Sequence, residues 1–208
     1  MPAEAVEDAR KRLTLAAEDL DDGRVAALIV EAADRWGVTP LWERVCAPLL
    51  GALPGRSAAE VAVEHAFAEG VRCGLDVLAR EPGPARRAGR VLLAGAEQES
   101  HCLGLHALAA ALRERGLDSV HLGPALPWTA LASAVRRVRP RVVVVWAQSP
   151  LTGRSYRLVR LGRDTPGLRV LAAGPGWIEP FPPVPAAPRR LTTLTEATAA
   201  CLQGGAPA

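Results

Sequence analysis

The sequence predicts an α/β protein in two parts, an N-terminal four-helix bundle followed by a doubly wound parallel sheet. Three observations predict it. Residues 1–80 carry helical periodicity throughout, with apolar residues returning every three or four positions. Beyond residue 90, short apolar runs alternate with amphipathic stretches, the pattern of repeated βα units. Between the two, Glu81–Gly89 (EPGPARRAG) holds two prolines, two glycines and two arginines, the composition of a linker. The expected boundaries are 1–80 for the bundle, 81–89 for the linker and 90–208 for the sheet domain.

In the bundle, Leu13, Ala16, Ala17 and Leu20 share one helical face, and Asp21-Asp22-Gly23 interrupts it. Val25, Leu28, Ile29, Ala32 and Trp36 form the next stripe, with Gly37 placed to end that helix. Thr39-Pro40 reads as a cap followed by proline at the first helical position, opening a third helix through Leu41, Trp42, Val45 and Leu49. Leu53-Pro54-Gly55 breaks it. Ser57-Ala58-Ala59-Glu60 matches a capping box, and the fourth helix runs to about Arg80. Val61, Ala68, Val71, Leu75 and Leu78 line one face of it, and Glu64 falls in the same stripe. A carboxylate on a buried face is costly without a partner, which marks Glu64 and its neighbour His65 as candidates for contact with a polar ligand.

The sheet domain opens with Val91–Ala94, too short for a helix and right for a buried strand. A helix over Cys102–Arg115 follows, then a strand at Ser119–Leu122 and a helix near Trp128–Arg139. Val142–Val145, four valines in succession, is a strand covered on both faces. A helix or turn near Thr152–Arg163, strands at Leu168–Ala172 and Arg190–Thr192, and a closing helix at Glu196–Leu202 complete the pattern.

Composition narrows the function. The 208 residues are 49% hydrophobic and 23% charged, ordinary for a globular protein with a sizeable core. A net charge of +3 is too mild to argue for nucleic acid or a membrane surface. Cys46, Cys73, Cys102 and Cys201 show no C-x-x-C spacing and read as reduced packing residues. Without a signal peptide or a long apolar run, a cytoplasmic location is expected, and no membrane partner. No G-x-G-x-x-G follows the first strand, which argues against a dinucleotide site.

The chemistry gathers in Val91–Gly104 (VLLAGAEQESHCLG). His101 falls just past the carboxyl end of the first strand, where open α/β sheets bind ligands. Glu99, two residues earlier, is placed to orient the imidazole and make its other nitrogen a better metal ligand. Gly104, lacking a Cβ, lets something bulky pass the first helical turn.

The run Glu99–Gly123 (ESHCLGLHALAAALRERGLDSVHLG), with Pro127 after it, resembles the cobalamin-binding domain, a flavodoxin- or Rossmann-like fold. That family carries an acid-x-His-x-x-Gly loop after the first strand and a second strand ending in Leu-Gly. The helical part, with its Glu64-His65 pair, looks like the bundle above the corrin in light-sensing cobalamin-dependent regulators of the MerR type. The resemblance implies cobalamin as cofactor, as adenosylcobalamin or methylcobalamin, held between bundle and sheet. His101 would be the lower axial ligand to cobalt, with Glu99 accepting a hydrogen bond from its far nitrogen. Gly104 would leave a channel for the nucleotide tail, and Gly174 and Gly176 (AAGPGW) would border the displaced base. The family usually has a serine at the end of the third strand; here Trp146-Ala147-Gln148-Ser149 stands, with Ser149 as the candidate replacement. Glu64 and His65 would face the upper ligand. The regulators also place a tryptophan ten residues before the Glu-His pair, a position taken here by Pro54.

The implied function is a cobalamin-binding sensor, a photoreceptor or other regulator of transcription acting through a protein partner or its own oligomer. No direct DNA contact is expected, because the regulators' winged-helix segment has no counterpart in this sequence. The alternative is a corrinoid methyl carrier serving partner methyltransferases. Those carriers usually place Asp-Ile-Gly-Lys after the histidine, where this chain has Cys102-Leu103-Gly104-Leu105. On either reading the chain is a binding component and not itself an enzyme.

Overall fold

The computed structural model describes residues 1–53, 57–80, 87–178, 180–184 and 187–204. Pro54 and residues 81–86 of the expected linker lie outside the described residues. The chain divides into two compact units, Met1–Pro82 and Gly83–Ala208.

The first unit is helical: α1 (Ala3–Glu18), α2 (Asp22–Trp36), α3 (Val38–Leu41), a π-helical turn (Trp42–Cys46), α4 (Ala47–Ala52) and α5 (Ala58–Arg80). The segments from α3 to α4 run on as one rod, so four rods pack together. Pro48 accounts for the π turn. It has no N–H to offer the Arg44 carbonyl, which instead accepts from the Arg10 guanidinium at 2.7 and 3.2 Å. The Ala47 N–H reaches five residues back, to the Trp42 carbonyl.

Local signals explain the helix ends, with two departures. Ser57 and Glu60 form the reciprocal capping box, Glu60 N–H donating to Ser57 Oγ at 3.2 Å and Ser57 N–H to Glu60 Oε2 at 3.0 Å. Gly37 ends α2 at φ 84°. The third rod, however, starts at Val38 and not at a Thr39 cap; Thr39 is buried inside the first turn and its hydroxyl has no partner among the described residues. Leu20 does not join the buried face of α1. It adopts φ 55° just past the helix end, where Asp21 N–H bonds Ala16 O and Leu20 N–H bonds Ala17 O, and its side chain is exposed. Those two crossed bonds are a Schellman ending, which puts its left-handed residue at that position.

The helices α2 and α5 approach closely through two glycines. A Cβ on Gly70 would meet Val25 at 2.5 Å, and one on Gly74 would meet Ile29 at 2.8 Å. The buried face of α5 is therefore Phe67, Gly70, Val71, Gly74, Leu75 and Leu78. Gly70 lies against the first turn of α2, so the earlier turns of α5 run past the end of that helix. Val61 is exposed and Glu64 only half-buried for this reason, which corrects the expectation of a carboxylate on a buried face.

The second unit alternates β1 (Arg87–Gly95), α6 (Leu103–Glu114), β2 (Leu117–His121), α7 (Trp128–Val138), β3 (Val142–Trp146), α8 (Ser155–Asp164), β4 (Arg169–Ala173), β5 (Arg189–Leu191) and α9 (Leu194–Gly204). All neighbouring strands are parallel, in the order β2-β1-β3-β4-β5. Strand β1 starts four residues before Val91, taking Arg87–Gly89 from the expected linker, with a register shift between Arg87 and Val91. Leu92, Ala94, Val143, Val145 and Ala172 meet Leu131, Val135, Leu158 and Leu161 of α7 and α8 in one core layer. Residues one step out of phase, among them Val144 and Trp146, point to the opposite face, where α6 lies. Leaving β1, the chain turns to β2 on one side, then crosses to β3 on the other. The loops after β1 and β3 thus flank the crevice at the point where the strand order reverses.

Candidate functional site

The loop after β1 folds back on itself. The Gly95 amide bonds Gly123 O at 2.9 Å and the Ala96 amide bonds Trp146 O at 2.8 Å, which ties the end of β1 to its surroundings. The Glu99 amide then closes a turn onto Ala96 O at 2.9 Å, with Gln98 in a left-handed conformation at φ 68°. This turn carries the Glu99 side chain inward until it is only 1% exposed.

Five donors converge on that carboxylate. Its Oε2 accepts from the Thr152 hydroxyl at 2.6 Å and from the amides of Gln148 and Ser149 at 2.8 and 3.1 Å, all on the loop after β3. Its Oε1 accepts from the His101 amide at 2.9 Å and lies 3.1 Å from His101 Nδ1. Burial alone would push the carboxyl upward, but the bonds from Thr152 and the His101, Ser149 and Gln148 amides outweigh it and hold the pKa at about 2. Glu99 is therefore a carboxylate at neutral pH and can only accept. That assigns the proton on neutral His101 to Nδ1 and leaves Nε2 with its lone pair free. The imidazole is 78% exposed, and Nε2 has no protein partner among the described residues.

Gly104, in the first turn of α6, faces the indole of Trp146. A Cβ there would overlap Cζ3 and Cη2 of the ring and stand 3.0 Å from Cε3. Gly174, just after β4, has φ 94°, and a Cβ on it would run into Ala147 O and come within 3.1 Å of Trp146 Cδ2. One ring therefore fills the space between these two glycines. Trp146 Nε1 is buried and has no hydrogen-bond partner among the described residues.

Ser149 gives its amide to Glu99, while its hydroxyl accepts from the Leu151 amide at 3.2 Å. Gly176 packs on the Ser149 carbonyl, where a Cβ would not fit. Glu99, His101 and Ser149 thus share one hydrogen-bonded cluster, and Gly104 and Gly174 share one indole. Glu64 and His65 belong to the helical unit, half-buried and exposed respectively, in the N-terminal turns of α5. His106 and His121 pack against each other edge-on at 4.5 Å. Thr152 is the site residue that sequence reasoning did not single out; Trp146 entered it only as a departure from the expected serine.

No protein-family model matches this chain, and no curated protein matches it. Solved structures are similar to it. A monomethylamine corrinoid protein from Methanosarcina barkeri superposes with a TM-score of 0.69 at 18% identity, over 95% of this chain and 98% of that one. The methanol:cobalamin methyltransferase complex of the same organism gives 0.48 at 17% identity, over 98% of this chain and 84% of that one. A cobalamin-binding protein from Desulfitobacterium hafniense DCB-2 gives 0.48 at 16% identity, over 92% and 96%. At these identities the first likeness establishes a shared fold across nearly the whole chain.

Proposed function

We propose that this chain binds a corrinoid, cobalamin in the form the sequence resemblance implies, with His101 Nε2 as the protein ligand to cobalt. The observation that carries the reading is the buried Glu99 carboxylate, which takes five donors and leaves one imidazole nitrogen bare and exposed at the sheet's switch point. Such a carboxylate–histidine pair fixes the tautomer and the orientation of the ring. Among the described residues no cluster of three His, Cys, Asp or Glu side chains could cage a bare ion. A metal held by His101 would have to arrive with most of its coordination already filled, as it does in a macrocycle. The likeness in fold to a protein described as a corrinoid protein supports the same reading.

The lower-ligand half of the site fits this group; the half that would take the nucleotide tail holds the Trp146 ring instead. When bound, the corrinoid would supply its cobalt–carbon chemistry. The chain's own part is to present His101, to hold the proton on Nδ1 through Glu99, and to keep the loops after β1 and β3 together through Thr152 and the Gln148 and Ser149 amides.

Two uses of such a site are open, each with support. The full-length fold likeness to a monomethylamine corrinoid protein supports a methyl carrier. Cys102-Leu103-Gly104-Leu105, in place of the carriers' usual run, supports a sensor. The test is the absorption spectrum of the full chain reconstituted with cobalamin and, separately, with a corrinoid that lacks the nucleotide. Wild type is expected to show histidine-ligated bands and His101→Ala to lose them; identical spectra would overturn the assignment. On the same sample, an oligomer change on illumination identifies the sensor, and methyl transfer from an added donor identifies the carrier. Among the described residues no helix is long and apolar enough to cross a membrane.

A further inference from the structure

We infer that Trp146 is a specificity determinant that discriminates against corrinoids carrying a nucleotide base and favours those without one. The inference rests on the corrinoid reading above and deepens it. In the structure the indole stands between Gly104 on the first turn of α6 and Gly174 after β4, the two glycines that would border a nucleotide tail. The half-buried ring already covers Gly104, and beside Gly174 it shares the space with the Ala147 carbonyl. A second flat ring cannot take the face of Gly104 while the indole lies on it. The residue is also wrong for contact with a base: where the family it resembles has a small hydroxyl, this strand ends in a large side chain whose only polar atom, Nε1, is buried without a partner among the described residues.

The fit of Gly104 to the ring distinguishes this arrangement from ordinary core filling: a Cβ there would overlap two of the indole carbons. The unpartnered Nε1 is a feature that Trp146 shares with Trp128 among the described residues. Ser149 lies three residues past the strand end, on the loop after β3, where its Oγ accepts from the Leu151 amide and its own amide serves Glu99. Entry of a base would require the ring to leave its seat between Gly104 and Gly174. A corrinoid lacking the nucleotide imposes no such displacement and still offers its cobalt to His101.

The experiment measures affinities of cobalamin and of cobinamide, which lacks the nucleotide, for the full-length wild type and for Trp146→Ala and Trp146→Ser. Wild type is expected to bind cobinamide at least tenfold more tightly than cobalamin. Each variant should gain at least tenfold for cobalamin while its cobinamide affinity moves less than threefold. Equal wild-type affinities for both corrinoids, or a cobalamin affinity unmoved in the variants, would overturn the role of Trp146 while leaving the corrinoid reading intact. Binding of neither corrinoid to any of the three proteins would remove both. Folding is controlled separately: Gly104→Ala should destabilise the wild-type protein, and the double variant with Trp146→Ala should recover that loss. A Gly104→Ala loss that persists without the indole would show that the ring is not what the glycine accommodates.

Discussion

Glu99 is the residue on which the candidate site turns. Its pKa of about 2, against 4.5 for a free glutamate, makes its charged state contribute on the order of 3 kcal/mol to folding. The sign follows from a depressed acid. The contribution is complete above about pH 4.5 and is lost as the pH falls toward 2. Glu99→Gln, which replaces one acceptor oxygen by an amide nitrogen facing two or three of the donors, is expected to cost about 2–4 kcal/mol at pH 7 and to flatten the acid limb of the stability curve. Urea unfolding between pH 2.5 and 7 measures this, and an acid limb as steep as wild type would contradict it. The motif spacing made the Glu99–His101 pairing readable in advance, because residues two apart on a tight loop can meet. Thr152 was not readable, since nothing local links it to a carboxylate 53 positions away. Trp146 was legible as a departure from a pattern, but the ring's seat between two glycines needed coordinates.

At the scale of elements, periodicity and punctuation placed the four helical rods and five strands of the described residues within a few residues. The misplacements have distinct physical causes. Leu20 looked like core because it continues the apolar spacing of α1, but the Schellman ending claims it first. Leucine is a poor occupant of a left-handed position, where glycine has no side chain to strain. Leu20→Gly is therefore expected to raise stability by about 0.5–1 kcal/mol, seen as a higher thermal midpoint; a lower midpoint would mean the exposed leucine packs better than its surroundings suggest. Glu64 looked buried because helical spacing says which side of α5 it shares, and not where the neighbouring helix begins. The π turn was invisible for a related reason: Pro48 announces a missing donor, but only the reach of Arg10 shows how the orphaned carbonyl is satisfied.

At the scale of the whole molecule, the chain divides into two compact units, Met1–Pro82 and Gly83–Ala208. Among the described residues, the second unit contains the five-stranded sheet, helices on both faces and each of the donors to Glu99. A fragment spanning Gly83–Ala208 is accordingly expected to fold alone and unfold cooperatively, with the acid sensitivity conferred by Glu99. Circular dichroism through a denaturant titration checks this, and a non-cooperative profile would refute it.

The shared carboxylate has a consequence for how such a site can change. The same two oxygens set the imidazole's tautomer and fasten the wall contributed by the loop after β3. Neither task can be tuned without disturbing the other. A lineage seeking a weaker or stronger donor at Nε2 by altering Glu99 would also loosen the crevice, so adjustment has to come from more distant positions, and failure in acid arrives for both tasks at one pH.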